Sequence, residues 1–310
     1  MVNFSISRYS YATFDRLPAG SGVGIFSHDQ QQSVQATSVK DLRFDGHLDF
    51  VKAFVKRLMP EATDFRVVTR SETPERSGLG GSGAMGVAVA GAITYGLGEH
   101  RSKEEIALLA NDIERNDLGH SGGNQDSFGA AIGGIKLITY HQGGGCSCER
   151  IAIPADTLAQ IERESLLIYT GGVHLSGTIH ADIKKSYALE NSPTIRAMDQ
   201  LKAAAQRMAR ALTAGDIGGY IECLNLSRVN HYALHESCDS DNLRRFFEEL
   251  APHIRGGKTC GAGGGGFILV HTKPDTQKIC VRIAESLGGR VSKLKLDDEG
   301  LKAWNEAPAT

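Results

Sequence analysis

Apolar residues recur along the chain with two periods, and the switches between them mark out the elements. Over 47–59, Leu48, Val51, Phe54, Val55 and Leu58 return every three or four positions, which predicts an amphipathic helix stopped by Pro60. Ile106, Leu109 and Ile113 give a second stripe over 103–116. Alternation in Phe4-Ser5-Ile6 and Tyr9-Ser10-Tyr11-Ala12 predicts short strands within the first fifty residues. Further strands are expected at 65–70, 134–140, 150–153, 166–169, 267–270 and 291–296, and further helices at 84–95, 155–162, 241–250 and 275–286. Helical pattern also runs from 176 to 226, interrupted near Pro193 and at Gly215-Asp216. This mixed order predicts an α+β protein of two domains that meet between 150 and 165.

Composition changes this picture little. The 310 residues are 41% hydrophobic and 23% charged, ordinary for a globular protein and enough for two cored domains of roughly 150 residues. A formal net charge of -2 leaves no basic footprint for nucleic acid. There is no apolar signal core at the N-terminus and no apolar run long enough for a bilayer, so a cytoplasmic protein with no membrane partner is expected. The six cysteines contain no C-x-x-C, and Cys146-Ser147-Cys148 has the wrong spacing for a zinc knuckle; free thiols are expected. The 37 glycines are concentrated in a few loops, and there the chemistry lies.

The segment Pro74-Glu75-Arg76-Ser77-Gly78-Leu79-Gly80-Gly81-Ser82-Gly83 follows a strand and opens the small-residue helix at 84–95. Glycines at such a junction admit an anion to backbone N–H groups, and the Ser82 hydroxyl suits a phosphate oxygen or a phosphate-bound Mg²⁺. Gly78 to Gly83 also spell G-x-G-x-x-G, but the polar insert 71–77 separates them from the strand that a dinucleotide site requires, and Glu99 lies in a turn. No G-x-x-x-x-G-K-[ST] occurs. Packing at a helix entry is the plain alternative for this loop.

Two more constellations follow. Glu114, placed on a helix, precedes Gly119-His120-Ser121-Gly122-Gly123-Asn124-Gln125-Asp126, read as a polar flexible loop. Phosphoryl transfer needs Mg²⁺ on hard oxygens and a carboxylate at the attacking hydroxyl, roles open to Glu114 and Asp126; a solvated acid and a turn or N-cap aspartate are the structural alternative. The run 256–266, Gly256-Gly257-Lys258-Thr259-Cys260-Gly261-Ala262-Gly263-Gly264-Gly265-Gly266, meets an apolar strand at once and therefore reads as a tight turn inside a fold. His231 and His235 have metal-ligand spacing without an H-E-x-x-H pattern. His174 and His180 flank Ser176 beside Thr170-Gly171 and are open to a sugar-phosphate contact or a surface role.

Taken together, these motifs resemble the GHMP kinase family. Pro74-x-Arg76-Ser77-Gly78-Leu79-Gly80-x-Ser82 looks like its phosphate loop, and Gly261-Ala262-Gly263-Gly264-Gly265-Gly266-Phe267 like its C-terminal motif. Glu114-Arg115, Gly122 to Asp126, Gly133-Gly134 and Tyr169-Thr170-Gly171 are most similar to the heptose phosphate kinase branch. The resemblance implies a ribosomal S5 domain 2-like N-terminal domain over 1–157 and a ferredoxin-like α/β domain over 158–310, with an ATP and acceptor cleft between them. It implies ATP on Arg76, Gly78, Leu79, Gly80, Gly81, Ser82 and Gly83, and Mg²⁺ on Ser82 and Glu114. Asp126 would act on the sugar hydroxyl, with Asn124, Gln125, Thr170, Gly263 and Gly264 toward a sugar or sugar-phosphate acceptor. The chain departs from the pattern at its start, where relatives carry a basic-apolar strand and a Gly-Gly-Gly-Thr-Asp-like turn; a nucleotide-binding homologue with impaired or lost catalysis is the alternative this implies. Gly81 and Gly83 also replace the family's small hydroxyl residues around Ser82.

Overall fold

The computed structural model describes residues 1–75, 77–120, 123–171 and 176–305. Two compact units divide the chain: one holds Met1–Ile6, Arg76–Leu79 and Gly134–Leu296, the other Ser7–Glu75, Gly80–Gly133 and Asp297–Thr310.

The second of these is built on a four-stranded sheet. Strands β2 (Ser10–Arg16), β3 (Val23–Ser27), β4 (Gln32–Ala36) and β5 (Phe65–Ser71) lie in the order β2-β5-β3-β4, with β3 parallel to β5 and the other pairs antiparallel. Helices α1 (Asp49–Leu58), α2 (Gly81–Gly96), α3 (Lys103–Asp112) and α4 (Gln125–Ile132) belong to the same unit. The predicted stripe on α1 is buried at Val51, Phe54 and Val55, and α2 contributes Val87, Val89 and Ile93 to the core. A capping box starts α3, with the Glu105 N–H donating to Ser102 Oγ at 3.1 Å and the Ser102 N–H to Glu105 Oε2 at 2.7 Å.

The other unit has two sheets. In the smaller, β1 (Val2–Phe4), β6 (Ile135–Tyr140) and β7 (Cys146–Arg150) are antiparallel neighbours in that order. The larger is antiparallel throughout, in the order β11-β8-β10-β9, from β8 (Ser165–Tyr169), β9 (Ile254–Thr259), β10 (Phe267–Thr272) and β11 (Arg290–Lys293). Every residue of β10 is buried because helices cover both faces. On one side Ile168, Ile268 and Val270 meet Phe246 and Leu250 of α9 (Asp241–Leu250) and Cys280 and Ala284 of α10 (Gln277–Ser286). On the other, Leu167, Phe267 and Leu269 cluster with Met208 and Leu212 of α7 (Ser192–Thr213) and Tyr220 and Leu224 of α8 (Ile217–Tyr232). Helices α5 (Ala155–Glu164) and α6 (Ser176–Ala188) complete the unit.

Two expectations shift. The strand expected at 150–153 is β7, four residues earlier, where pairing with β6 begins at Cys146 directly after the glycine turn. The run 256–266, expected as a tight turn, instead begins as strand β9 through Thr259, and only the residues after it turn. Gly256 and Gly257 carry no β signal, and they are required because a Cβ would lie 2.9 Å from the Asn225 amide at Gly256 and 2.7 Å from the Leu269 carbonyl oxygen at Gly257.

Candidate active site

The residues expected to act on phosphate sit in both units. In the unit of α1–α4, Gly80 precedes α2 with φ +72°, and among the described residues no side chain caps that helix. The N–H groups of its first turn are therefore left for an anion. Ser82, second in α2, donates its hydroxyl to Glu114 Oε1 at 2.8 Å. Glu114 does not continue α3, as the 103–116 pattern predicts. It lies in a π-helical turn, Ile113–Asp117, closed by the Leu118 N–H on the Ile113 carbonyl at 3.3 Å. The extra residue in such a turn rotates the side chains beyond it, a device common at functional sites. His120 Nδ1 lies 3.6 Å from the same Glu114 oxygen, and its ring stacks on Phe50 with centroids 6.4 Å apart. Buried Asn111 donates to the Gly123 carbonyl at 3.3 Å and so pins the approach to α4.

Asp126 is the second residue of α4, and this corrects the flexible-loop reading. Its helix starts as soon as Gln125 because an acid in the first turn complements the helix dipole. The residue keeps some accessible surface, but its carboxyl group is crowded by protein: a Cβ on Gly80 would lie 2.9 Å from Oδ1, and one on Gly83 would lie 2.6 Å from the Asp126 Cβ. Burial pushes this carboxyl up from 3.8 to about 6, and the negative charge of Glu114 adds to the shift. Gly80 and Gly83 thus serve to bring α2 against the start of α4, in addition to any ligand.

Gly81 differs, since a Cβ there meets only Thr73, at 3.7 Å. Gly81→Ala is therefore expected to be neutral or to stabilise by about 0.4–1 kcal/mol. Gly83→Ala should lose stability and displace Asp126, costing about 1–3 kcal/mol by overpacking. Urea unfolding of the two variants checks this; equal behaviour would contradict the close approach.

In the other unit the two glycine motifs interlock backbone to backbone. A Cβ on Gly78 would lie 2.8 Å from the Cys260 carbonyl oxygen, and one on Gly261 would lie 2.6 Å from Gly78 Cα. The Phe267 N–H donates to the Ser77 carbonyl at 3.0 Å, and a Cβ on Gly266 would lie 2.4 Å from that same oxygen. Leu79 packs against the cluster that includes Phe267 and Tyr220. Buried Thr170 donates Oγ1 to the Gly266 carbonyl at 2.8 Å, and the Gly264 N–H donates to the Cys238 carbonyl at 2.9 Å. A Cβ on Gly263 would lie 2.3 Å from the same Cys238 oxygen, so Thr170, Gly263 and Gly264 all hold the turn in shape.

Asn124 and Gln125 stand half-buried at the start of α4. Arg76, Ser121, Gly122 and His174 lie outside the described residues. His231 lies in α8 but His235 falls beyond its end, before a short 3-10 turn, so the i,i+4 spacing does not set them on one helix face; burial drops the His231 pKa to about 4, and His235 Nδ1 is 2.8 Å from Ser237 Oγ. Among the described residues no group of three or more His, Cys, Asp or Glu is placed to hold a metal, and all six cysteines are free thiols. No helix among them is long and apolar enough to cross a membrane.

Residues 49–134, which carry Ser82, Glu114 and Asp126, match the family model described as GHMP kinases N terminal domain. Over 309 residues the chain is 28% identical to D-glycero-alpha-D-manno-heptose 7-phosphate kinase of Campylobacter jejuni, covering 98% of this chain and 90% of that protein. Residues 49–134 thus carry a GHMP kinase N-terminal domain. The chain also matches the crystal structure of a D-glycero-D-manno-heptose 1-phosphate kinase from Bacteroides thetaiotaomicron, with a TM-score of 0.77, 25% identity, and coverage of 98% of this chain and 90% of that one. Lactococcus lactis galactokinase shares the fold at a TM-score of 0.73 and 14% identity, covering 95% of this chain and 87% of that one. The α+β fold of these kinases is thus present, and the chain resembles sugar kinases over nearly its whole length.

Proposed function

We propose that this protein is a GHMP-type kinase that transfers the γ-phosphoryl group of ATP to a hydroxyl of a heptose phosphate. The observation that carries the reading is the cluster at the start of α2: a helix N-terminus without a side-chain cap, the Ser82–Glu114 pair at 2.8 Å, and the enclosed Asp126 carboxyl. Sugar phosphate as acceptor is supported by the two heptose phosphate kinases among the relatives. In this reading residues 1–157 form the ATP-binding domain and 158–310 the second domain.

The N–H groups of Gly81, Ser82 and Gly83 hold the β- and γ-phosphates against the positive end of α2. Asp126, with its pKa brought near 6, is ionised at neutral pH yet basic enough to take the proton of the attacking hydroxyl. The oxygen so released bonds to the γ-phosphorus as its bond to the β–γ bridging oxygen breaks, and ADP leaves. The Ser82 hydroxyl and the Glu114 and Asp126 carboxylates are the hard oxygen donors that suit Mg²⁺, and Ser82 with Glu114 would hold it. When bound, the ion neutralises charge on the phosphates. Asn124 and Gln125 would orient the acceptor beside Asp126. The Gly78–Gly261 interlock keeps residues 77–79 in place.

Turnover of ATP over a panel of heptose phosphates, hexose phosphates and free sugars tests the assignment, alongside calorimetric titration of ATP. A heptose phosphate should give the highest kcat/KM. ATP binding with no turnover on any acceptor would instead favour the nucleotide-binding homologue. Ser82→Ala should raise the Mg²⁺ concentration for half-maximal rate about tenfold, the order of effect seen when a metal-ligand shell loses one partner.

A further inference from the structure

A second cleft lies between α8, α9 and the start of β9, and uses none of the residues discussed so far as phosphate or acceptor contacts. It encloses about 360 Å³, within the size range of small-ligand sites. Asn225, Arg228 and Tyr232 share one face of α8, Arg244 and Phe247 share one face of α9, and Arg255 comes from β9.

The charge is unbalanced. Arg244 is already paired with Asp239 at 2.9 Å and Asp241 at 2.5 Å. Arg228 and Arg255 have no ion pair among the described residues, and Glu248 is the cleft's only lining carboxylate. The Arg228 guanidinium lies over the Phe247 ring, 4.3 Å from its centroid, and Arg228 is half-buried there. Burial lowers its pKa, opposed only by the Tyr232 hydroxyl. A cation withdrawn from water without a counter-ion is costly, and the aromatic face offsets only part of that cost. Of the uncharged polar groups, the Asn225 amide donates to the Arg255 carbonyl at 3.2 Å and accepts from the Gly257 N–H at 3.2 Å, and Tyr232 is tied to Thr259 at 2.9 Å. These bonds hold the cleft open, with two planar guanidinium forks free to meet one anion.

We propose that this cleft binds a phosphate-bearing small molecule, with its phosphate held by Arg228 and Arg255. Two guanidinium groups supply the parallel N–H donors that match a phosphate dianion. The cleft is distinct from the catalytic phosphate loop, and β9 leads from it directly to Cys260 and Gly261 of the glycine interlock.

The test is calorimetric titration of the full-length enzyme with inorganic phosphate while saturating ADP and Mg²⁺ block the phosphate loop. Wild type should show saturable binding. Arg228→Gln should weaken it at least tenfold, and the double variant Arg228→Gln/Arg255→Gln should abolish it, with kcat unchanged in both. Arg255 is exposed, so Arg255→Gln alone provides an effect on affinity free of any packing loss at Phe247. Absence of saturable binding in wild type, or equal affinity in wild type and all three variants, overturns the proposal.

Discussion

Asp126→Asn should lower kcat by about 10²–10⁴-fold, the contribution of a positioned general base, and in the same protein raise the melting temperature at neutral pH. Both effects come from one environment. The folded carboxyl titrates at about 6 against an ordinary 3.8, so holding it ionised inside the fold costs roughly two pKa steps, at most about 3 kcal/mol. Because the folded value is the higher one, this cost is fully present above pH 6, shrinks as the pH falls through 6, and is gone below about 4, where the carboxyl is protonated in both states. Asparagine removes the charge and keeps the shape. Calorimetric melting at pH 7.5 and pH 4.5 should show the variant ahead of wild type by a much smaller margin at the lower pH. A variant less stable at 7.5, or a gap unchanged between the two, would contradict the buried-charge account. In wild type the same titration should give kcat/KM an acid limb near pH 6.

The second large effect is expected at the interlock. Gly266→Ala places a methyl group 2.4 Å from the Ser77 carbonyl oxygen at φ +79°, in a position whose own carbonyl accepts from Thr170. Gly20 has a similar φ, +86°, with nothing within 4 Å of a Cβ. Gly20→Ala should thus lose only the left-handed backbone strain, about 1–2 kcal/mol. Gly266→Ala should lose that and a further 1–3 kcal/mol, roughly, of overpacking, together with affinity for ATP. Equal losses in urea unfolding would remove the interlock as the reason for these glycines.

Much of this was readable in advance, for reasons that differ by element. Helix α9 matches its predicted span because Leu243, Phe246, Phe247 and Leu250 form an unbroken apolar face. The breaks around α7 and α8 follow from Pro193 and Gly215-Asp216, whose backbone chemistry is local. Strand β9 was hidden because its sequence, Ile-Arg-Gly-Gly-Lys-Thr, is set by a neighbouring amide and a packed strand, neither of which is local. At the site, Ser82, Glu114 and Asp126 were nominated by residue type and loop position. The π-helical turn under Glu114 was not, since the 3.6-residue stripe continues through Ile113 without a signal. His120 stood in plain view in its glycine loop, but only the fold supplies its neighbours Glu114 and Phe50. The enclosure of Asp126 likewise depends on Gly80 and Gly83, more than forty positions earlier, and no local pattern reports it.

The way the chain is shared between its units has a consequence for how it is made. Strand β1 pairs with β6, and the terminal amine of Met1 bonds to the Ile138 carbonyl, 137 positions later. At synthesis rates of about 5–20 residues per second, that first strand waits on the order of ten seconds for its partner. The unit of α1–α4 waits longer still, because the Leu301 N–H bonds to the Ala131 carbonyl at 3.0 Å, a contact that spans more of the chain. Neither unit can close behind the ribosome as an independent early product, so nascent chains should remain protease-sensitive until residue 301 has emerged.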